Sequence, residues 1–160
     1  LDGVGNPHNL GAIVRTAAFF GIARVVLSDH PGQAGPSEAA YRVAEGGFEA
    51  VAVHRAQGFA AQLRRLRASH RVIGTALERG RPLDLRGLAP GSGPRPVALV
   101  LGNEEDGLPR ATIEACEEIG FIPGVGAVQS LNVAATAAIL IQAACAGGLI
   151  PETDRAAPPA

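Results

Sequence analysis

Five short aliphatic runs set the strongest limit on what this chain can become: RVVLS at 24–28, AVAV at 50–53, RVIGTAL at 71–77, PVALVLG at 96–102 and GFIP at 120–123. Each is β-branched or aliphatic and bounded by glycine, proline or charge, the pattern of a strand buried on both faces in a parallel sheet. Helical patterns separate them. Over residues 8–20, Leu10, Ile13, Val14, Ala17 and Ala18 form one apolar stripe, and Asn6-Pro7 supplies an N-cap and a first-turn proline. GFAAQLRRLRASH repeats the pattern through Phe59, Leu63 and Leu66, leaving Arg64, Arg65 and Arg67 outside, and ATIEACEE and LNVAATAAILIQAACAG complete the set. This alternation predicts an α/β fold, a mostly parallel sheet flanked by helices.

With 160 residues and 47% hydrophobic content, one compact domain is expected, over residues 1–149, followed by a flexible tail at 150–160. ERGRPLDLRGLAPGSGPRP, between two strands, has no period and reads as a long surface loop. No stretch is long and apolar enough for a membrane span, and the opening LDGVGNPHN lacks signal-peptide character, so a soluble, cytoplasmic protein is expected. Leu1-Asp2 reads like the end of a strand, and the chain is expected to be part of a longer polypeptide.

All fourteen basic residues are arginines. The absence of lysine removes a Walker phosphate loop, a Schiff base and a kinase lysine from this chain. Cys116 and Cys145 lie in apolar helical patterns without a CxxC spacing, so two buried thiols are expected, and neither a disulfide nor a metal site. Net charge is −1, but its distribution is uneven: nine arginines face Glu78 and Asp84 over 55–95, and six acids face only Arg110 over 103–118. The arginine run is either a solvated face or a patch for phosphates.

Ligands of open α/β sheets sit beyond the carboxyl ends of the strands. NPHNLGAIVRTAAFFG at the first helix, and LGNEEDGLP and IPGVGAVQSLN after strands, crowd that region with glycine, Asn, Glu, Ser and Arg. GVGNPH and GVGAVQ both lack the third glycine of a GxGxxG fingerprint, which disfavours a dinucleotide oxidoreductase, and no GxSxG elbow is present.

NPHNLGAIVRTAAFFG, LVLGNEEDGLP and IPGVGAVQSLNVAATAAIL resemble, in order, the three signature motifs of the SpoU (TrmH-type) RNA 2′-O-ribose methyltransferases of the SPOUT superfamily. The likeness runs through residues 1 to about 149. One departure is Gly124, where the family often has methionine. The resemblance implies a SPOUT-type fold with a C-terminal deep trefoil knot, an exception to the rule that chains do not knot. It also implies S-adenosylmethionine as methyl donor, tRNA or rRNA as substrate, and a homodimer formed through the knot region. Carried over position by position, Arg15 stands closest to the chemistry, and Asn9, Glu104, Ser130 and Asn132 hold it and the target ribose. Thr75, Leu101, Gly102, Ile122, Pro123 and Leu131 fall at the cofactor pocket, with Gly124 and Gly126 letting the chain bend beneath it. The family mechanism makes the arginine a general base, whereas a guanidinium, protonated in proteins, suits a charged clamp equally well. The alternative on the same fold is an RNA-binding domain without catalysis.

Overall fold

The computed structural model describes residues 1–103 and 106–146. Among the described residues the named strands pair in parallel throughout. Strands β1 (Arg24–Leu27) and β2 (Ala52–Arg55) pair in register Val25 to Val53. The second group runs β4 (Arg81–Pro82), β6 (Glu118–Phe121), β3 (Arg71–Thr75), β5 (Val97–Val100), with Ile73 opposite both Leu99 and Glu118. Leu1 and Asp2 bridge the groups. Ser28 N–H donates to Leu1 O at 2.9 Å, Asp2 N–H donates to Leu101 O at 2.9 Å, and Asp2 forms a parallel bridge with Gly102. The strand character expected at Leu1-Asp2 is therefore realised.

Among the described residues six α-helices accompany these strands: α1 (Pro7–Phe19), α2 (Glu38–Ala44), α3 (Gly47–Ala50), α4 (Phe59–Leu66), α5 (Arg110–Ala115) and α6 (Val133–Cys145). Helix α1 starts where expected, with Asn6 Oδ1 accepting from His8 N–H at 2.8 Å and Pro7 in the first turn. Its stripe of Leu10, Ile13, Val14 and Ala17 is buried against Val133, Ala137 and Ile141 of α6. Phe59 and Leu63 of α4 bury with Val72, Val100 and Ala115 in a separate cluster, so α4 and α5 pack together on another part of the sheet. Adjacent residues of β3 face opposite sides: Val72 joins the α4 cluster, and Ile73 packs in a third cluster with Leu140 and Ala143 of α6. Among the described residues no helix is long and apolar enough to cross a membrane.

Three departures from the sequence reading have physical causes. Helices α2 and α3 are short and were not legible as an apolar stripe; α2 begins where Ser37 Oγ accepts from Ala40 N–H at 3.3 Å. The segment expected to be a surface loop over 78–96 contains β4 and a 3-10 turn (Leu85–Leu88), and Leu88, 2% exposed, packs with Ile73 and Leu140. One buried leucine in a Gly-, Pro- and Arg-rich run leaves no periodic signal. Cys116 is buried as expected but Cys145 is only half-buried.

Candidate active site

The carboxyl ends of β3, β5 and β6 and the entry to α6 enclose a cavity of about 580 Å³, within the usual size of a small-molecule site. Its walls include Thr75, Gly102, Ile122, Ser130 and Leu131, five of the residues expected at a site from sequence. Thr75 Oγ1 donates to Val100 O at 3.3 Å, tying the end of β3 to the end of β5. Gly102 is required by a close approach, since a Cβ there would lie 2.5 Å from Gly107 O. Gly124 and Gly126 are different: neither has a positive φ and a Cβ on either meets nothing within 4 Å, so the protein alone does not demand glycine at these positions.

Asn132 joins the first and third motif stretches. Its Oδ1 accepts from Ala134 N–H at 2.8 Å, capping α6, while its Nδ2 donates to Asn9 Oδ1 at 3.1 Å. Asn9 is buried in the first turn of α1. One short side chain thus starts the last helix and fastens it to the first.

Not every expected residue reaches the cavity, and Asn9 and Asn132 both lie outside its lining, Asn132 between the lining residues Leu131 and Val133. Leu101 is buried in the core behind it, its carbonyl engaged by Asp2, and Pro123 is exposed and outside the lining. Arg15 points elsewhere: Nη1 donates to Glu45 Oε1 at 2.7 Å, with the two side chains 55% and 61% exposed. Glu104 lies outside the described residues.

Several lining residues went unnoticed in the sequence. Asn103, Glu78, Arg79, Asp106, Arg110 and Gln129 also face the cavity. Asn103 Nδ2 donates to Gly3 O at 3.0 Å, so the second motif stretch is held against the start of the chain. Arg79 has φ 65°, an uncommon left-handed conformation for a residue with a side chain, and the Gly80 beside it is forced by Ala76 O, 2.2 Å from where a Cβ would stand. The signal available was position alone, since 76–79 follow a strand. Arg110 pairs with Glu114 at 2.8 Å; that hydrogen bond raises the guanidinium pKa and lowers that of the carboxyl.

Away from the cavity, Asp2 is buried and its Oδ2 accepts from Thr112 Oγ1 at 2.6 Å, anchoring α5 beneath the site. Burial pushes the Cys116 thiol up to about 11, which makes it a packing group and a poor nucleophile at neutral pH.

The sequence pattern of the SpoU rRNA Methylase family matches residues 1–142. The 23S rRNA (guanosine-2′-O-)-methyltransferase RlmB of Nitrosomonas europaea is 38% identical over 142 residues, covering 88% of this chain and 52% of that protein. The protein of the same name from Photorhabdus laumondii is 40% identical over 146 residues, covering 89% and 57%. The chain therefore spans about half the length of the curated relatives it matches. The crystal structure of an AdoMet-bound rRNA methyltransferase from Sinorhizobium meliloti superimposes with a TM-score of 0.81 at 29% identity, over 94% of this chain and 56% of that one.

Proposed function

Because this chain belongs to the SpoU rRNA Methylase family, we propose that it transfers a methyl group from S-adenosylmethionine to a ribose 2′-hydroxyl of ribosomal or transfer RNA. The observation that carries this reading is the contact between Asn9 and Asn132, which fastens the first motif stretch to the third, whose Ser130 and Leu131 line the cavity. The relatives' names and the bound AdoMet of the Sinorhizobium protein support the same chemistry.

The cavity suits the cofactor. Thr75, Gly102, Ile122 and Leu131 supply strand-end backbone and apolar surface to hold it, with Leu101 in the core behind and Pro123 next to Ile122 supporting them from outside the lining. When bound, it offers an electrophilic methyl on a sulfonium. The chain's own task is then to place the ribose oxygen in line and ease loss of its proton. Asn132, held at the entry to α6 by its bonds to Ala134 and Asn9, and Ser130 in the cavity wall orient the ribose with Asn9 and Glu104. Arg15 acts as a cation that binds phosphate and stabilises negative charge growing on the oxygen, a role suited to a group that stays protonated.

In this reading residues 1–149 form the catalytic domain, residues 150–160 a tail, and the carboxyl end threads a trefoil knot. The enzyme works in the cytoplasm as a homodimer. Supporting the dimer, Val125, Val128 and Leu131 are exposed large apolar residues beside α6, and α6 itself leaves Ala135 and Gln142 exposed within one chain. Incubation with labelled S-adenosylmethionine and unmethylated ribosomal RNA tests the activity. Label at a ribose 2′-oxygen is the expected result; RNA binding without incorporation would leave a non-catalytic RNA-binding domain instead.

A further inference from the structure

Asn9 of α1 is joined to Asn132, next in sequence to the cavity residue Leu131, yet Arg15 of the same helix is held by an acid at the end of α2. Small residues bring these elements together. A Cβ on Gly11 would stand 2.4 Å from Ala40 O, and one on Gly47 would stand 3.2 Å from Arg15 Cα. Helices α2 and α3 are thus pressed on α1 and the turn between them has little freedom. Glu45 ends α2 with φ 44° and ψ 56°, a left-handed conformation that residues with side chains rarely adopt. Glycine usually takes such a position after a helix, and here Gly46 follows one residue too late. The outcome is a carboxylate delivered to the guanidinium from a fixed backbone.

We propose that Glu45 occupies Arg15 in place of an RNA phosphate, and that RNA binding exchanges the carboxylate for a phosphodiester. This rests on the RNA methyltransferase reading given above. A carboxylate and a phosphate present the same kind of acceptor oxygens to a guanidinium, so one can stand where the other will bind. The pair is built to be given up. It is monodentate, Arg15 making through Nη1 its single side-chain hydrogen bond among the described residues, and both partners are more than half exposed, where ion pairs contribute little. A phosphate can take two donors of the same fork. Glu38 on α2 is itself paired with Arg42 at 2.8 Å, and the like charges of carboxylate and phosphate make the arriving phosphate displace Glu45 rather than share the cation with it. Arg15 is in this way kept from other anions and released by the backbone of the substrate itself.

The exchange is tested by binding of protein-free 23S ribosomal RNA to the 160-residue chain between about 50 and 200 mM salt. Glu45→Gln is expected to lower Kd about threefold to tenfold and to steepen the salt dependence by roughly 0.7–0.9 in the log–log slope, the contribution of one more available cation. Glu45→Gly should do the same while relieving the left-handed residue, which guards against a folding defect. Glu49→Gln removes an equal charge from the same lobe with no ion-paired arginine attached, and is expected to change Kd by less than about twofold. In an Arg15→Ala background Glu45→Gln should gain nothing. Equal effects at Glu45 and Glu49, weaker binding by both Glu45 variants, a gain that survives without Arg15, or no RNA binding by the wild-type chain at the lowest salt would each overturn the proposal. Wild-type protein that shows the exchange but incorporates no methyl group would overturn the catalytic reading and leave this one standing.

Discussion

The side-chain amide of Asn132 donates to the side-chain oxygen of Asn9 across 3.1 Å, linking residues 123 positions apart, while its own oxygen caps α6. Cap and cross-link use different atoms of one side chain, so its loss disturbs both the start of the last helix and its tie to α1.

Truncation at this point is expected to harm both. Asn132→Ala removes a cap worth about 0.5–2 kcal/mol, lowering Tm by a few degrees, and should weaken S-adenosylmethionine binding and methyl transfer together. Asn132→Asp keeps an acceptor for Ala134 N–H but replaces the donor to Asn9. Its Tm should stay near wild type while transfer falls. Calorimetry and melting curves check this, and an Asn132→Ala protein with normal binding and turnover would refute the assignment.

Arg15 gives a different signature because it lies outside the cavity lining, paired with Glu45. Arg15→Ala is expected to abolish methyl transfer while changing cofactor affinity by less than about twofold, and an exposed pair of this kind costs the fold roughly 0–1 kcal/mol. Turnover at the wild-type rate in that variant would remove Arg15 from the mechanism.

Arg64 and Arg65 project from α4 into solvent and make no ion pair among the described residues. Reversing both to glutamate should weaken RNA binding at least about tenfold and flatten its salt slope. A binding curve and slope that match wild type would make the arginine face plain solvated surface.

Leu88 tests the segment that looked like a loop. Its side chain packs with Ile73 and Leu140 and is 2% exposed. Leu88→Ala is expected to cost about 2–5 kcal/mol in urea unfolding, the range for a buried leucine. A loss under about 0.5 kcal/mol, typical of surface changes, would mean that the leucine is not part of the core.

Acid sensitivity follows from Glu117. Its carboxylate accepts from Arg95 at 2.8 Å and from Val72 N–H at 3.2 Å, and the hydrogen bond from Arg95, then that from Val72, holds its pKa below the usual carboxylate value. A group depressed on folding adds stability above its unfolded pKa and loses it as pH falls through the folded one. Glu117→Gln should therefore be less stable than wild type at pH ~7, with the gap closing below about pH 4. Melting curves across that range decide; a gap that stays constant would detach the residue from acid unfolding.

Local pattern alone determined the stripe of α1, the cap at Asn6 and the parallel architecture, and it located the strands to within two residues, β2 (Ala52–Arg55) and β6 (Glu118–Phe121) being displaced from the runs at 50–53 and 120–123. Each of these is written within a few residues, by the period of burial or by a side chain that bonds its own helix. The ordered motif stretches likewise pointed to a family whose sequence pattern matches residues 1–142. Folding in three dimensions decided what depends on residues far apart in the chain. Asn132 meets Asn9, Asp2 meets Thr112, and Glu45 takes Arg15 only because glycines at 11 and 47 let α1, α2 and α3 touch. No local period carries such pairings. Leu88 was hidden for the same reason: three leucines spaced without a period in a Gly-, Pro- and Arg-rich run mark no face, and Leu88 becomes core only when α6 and β3 cover it.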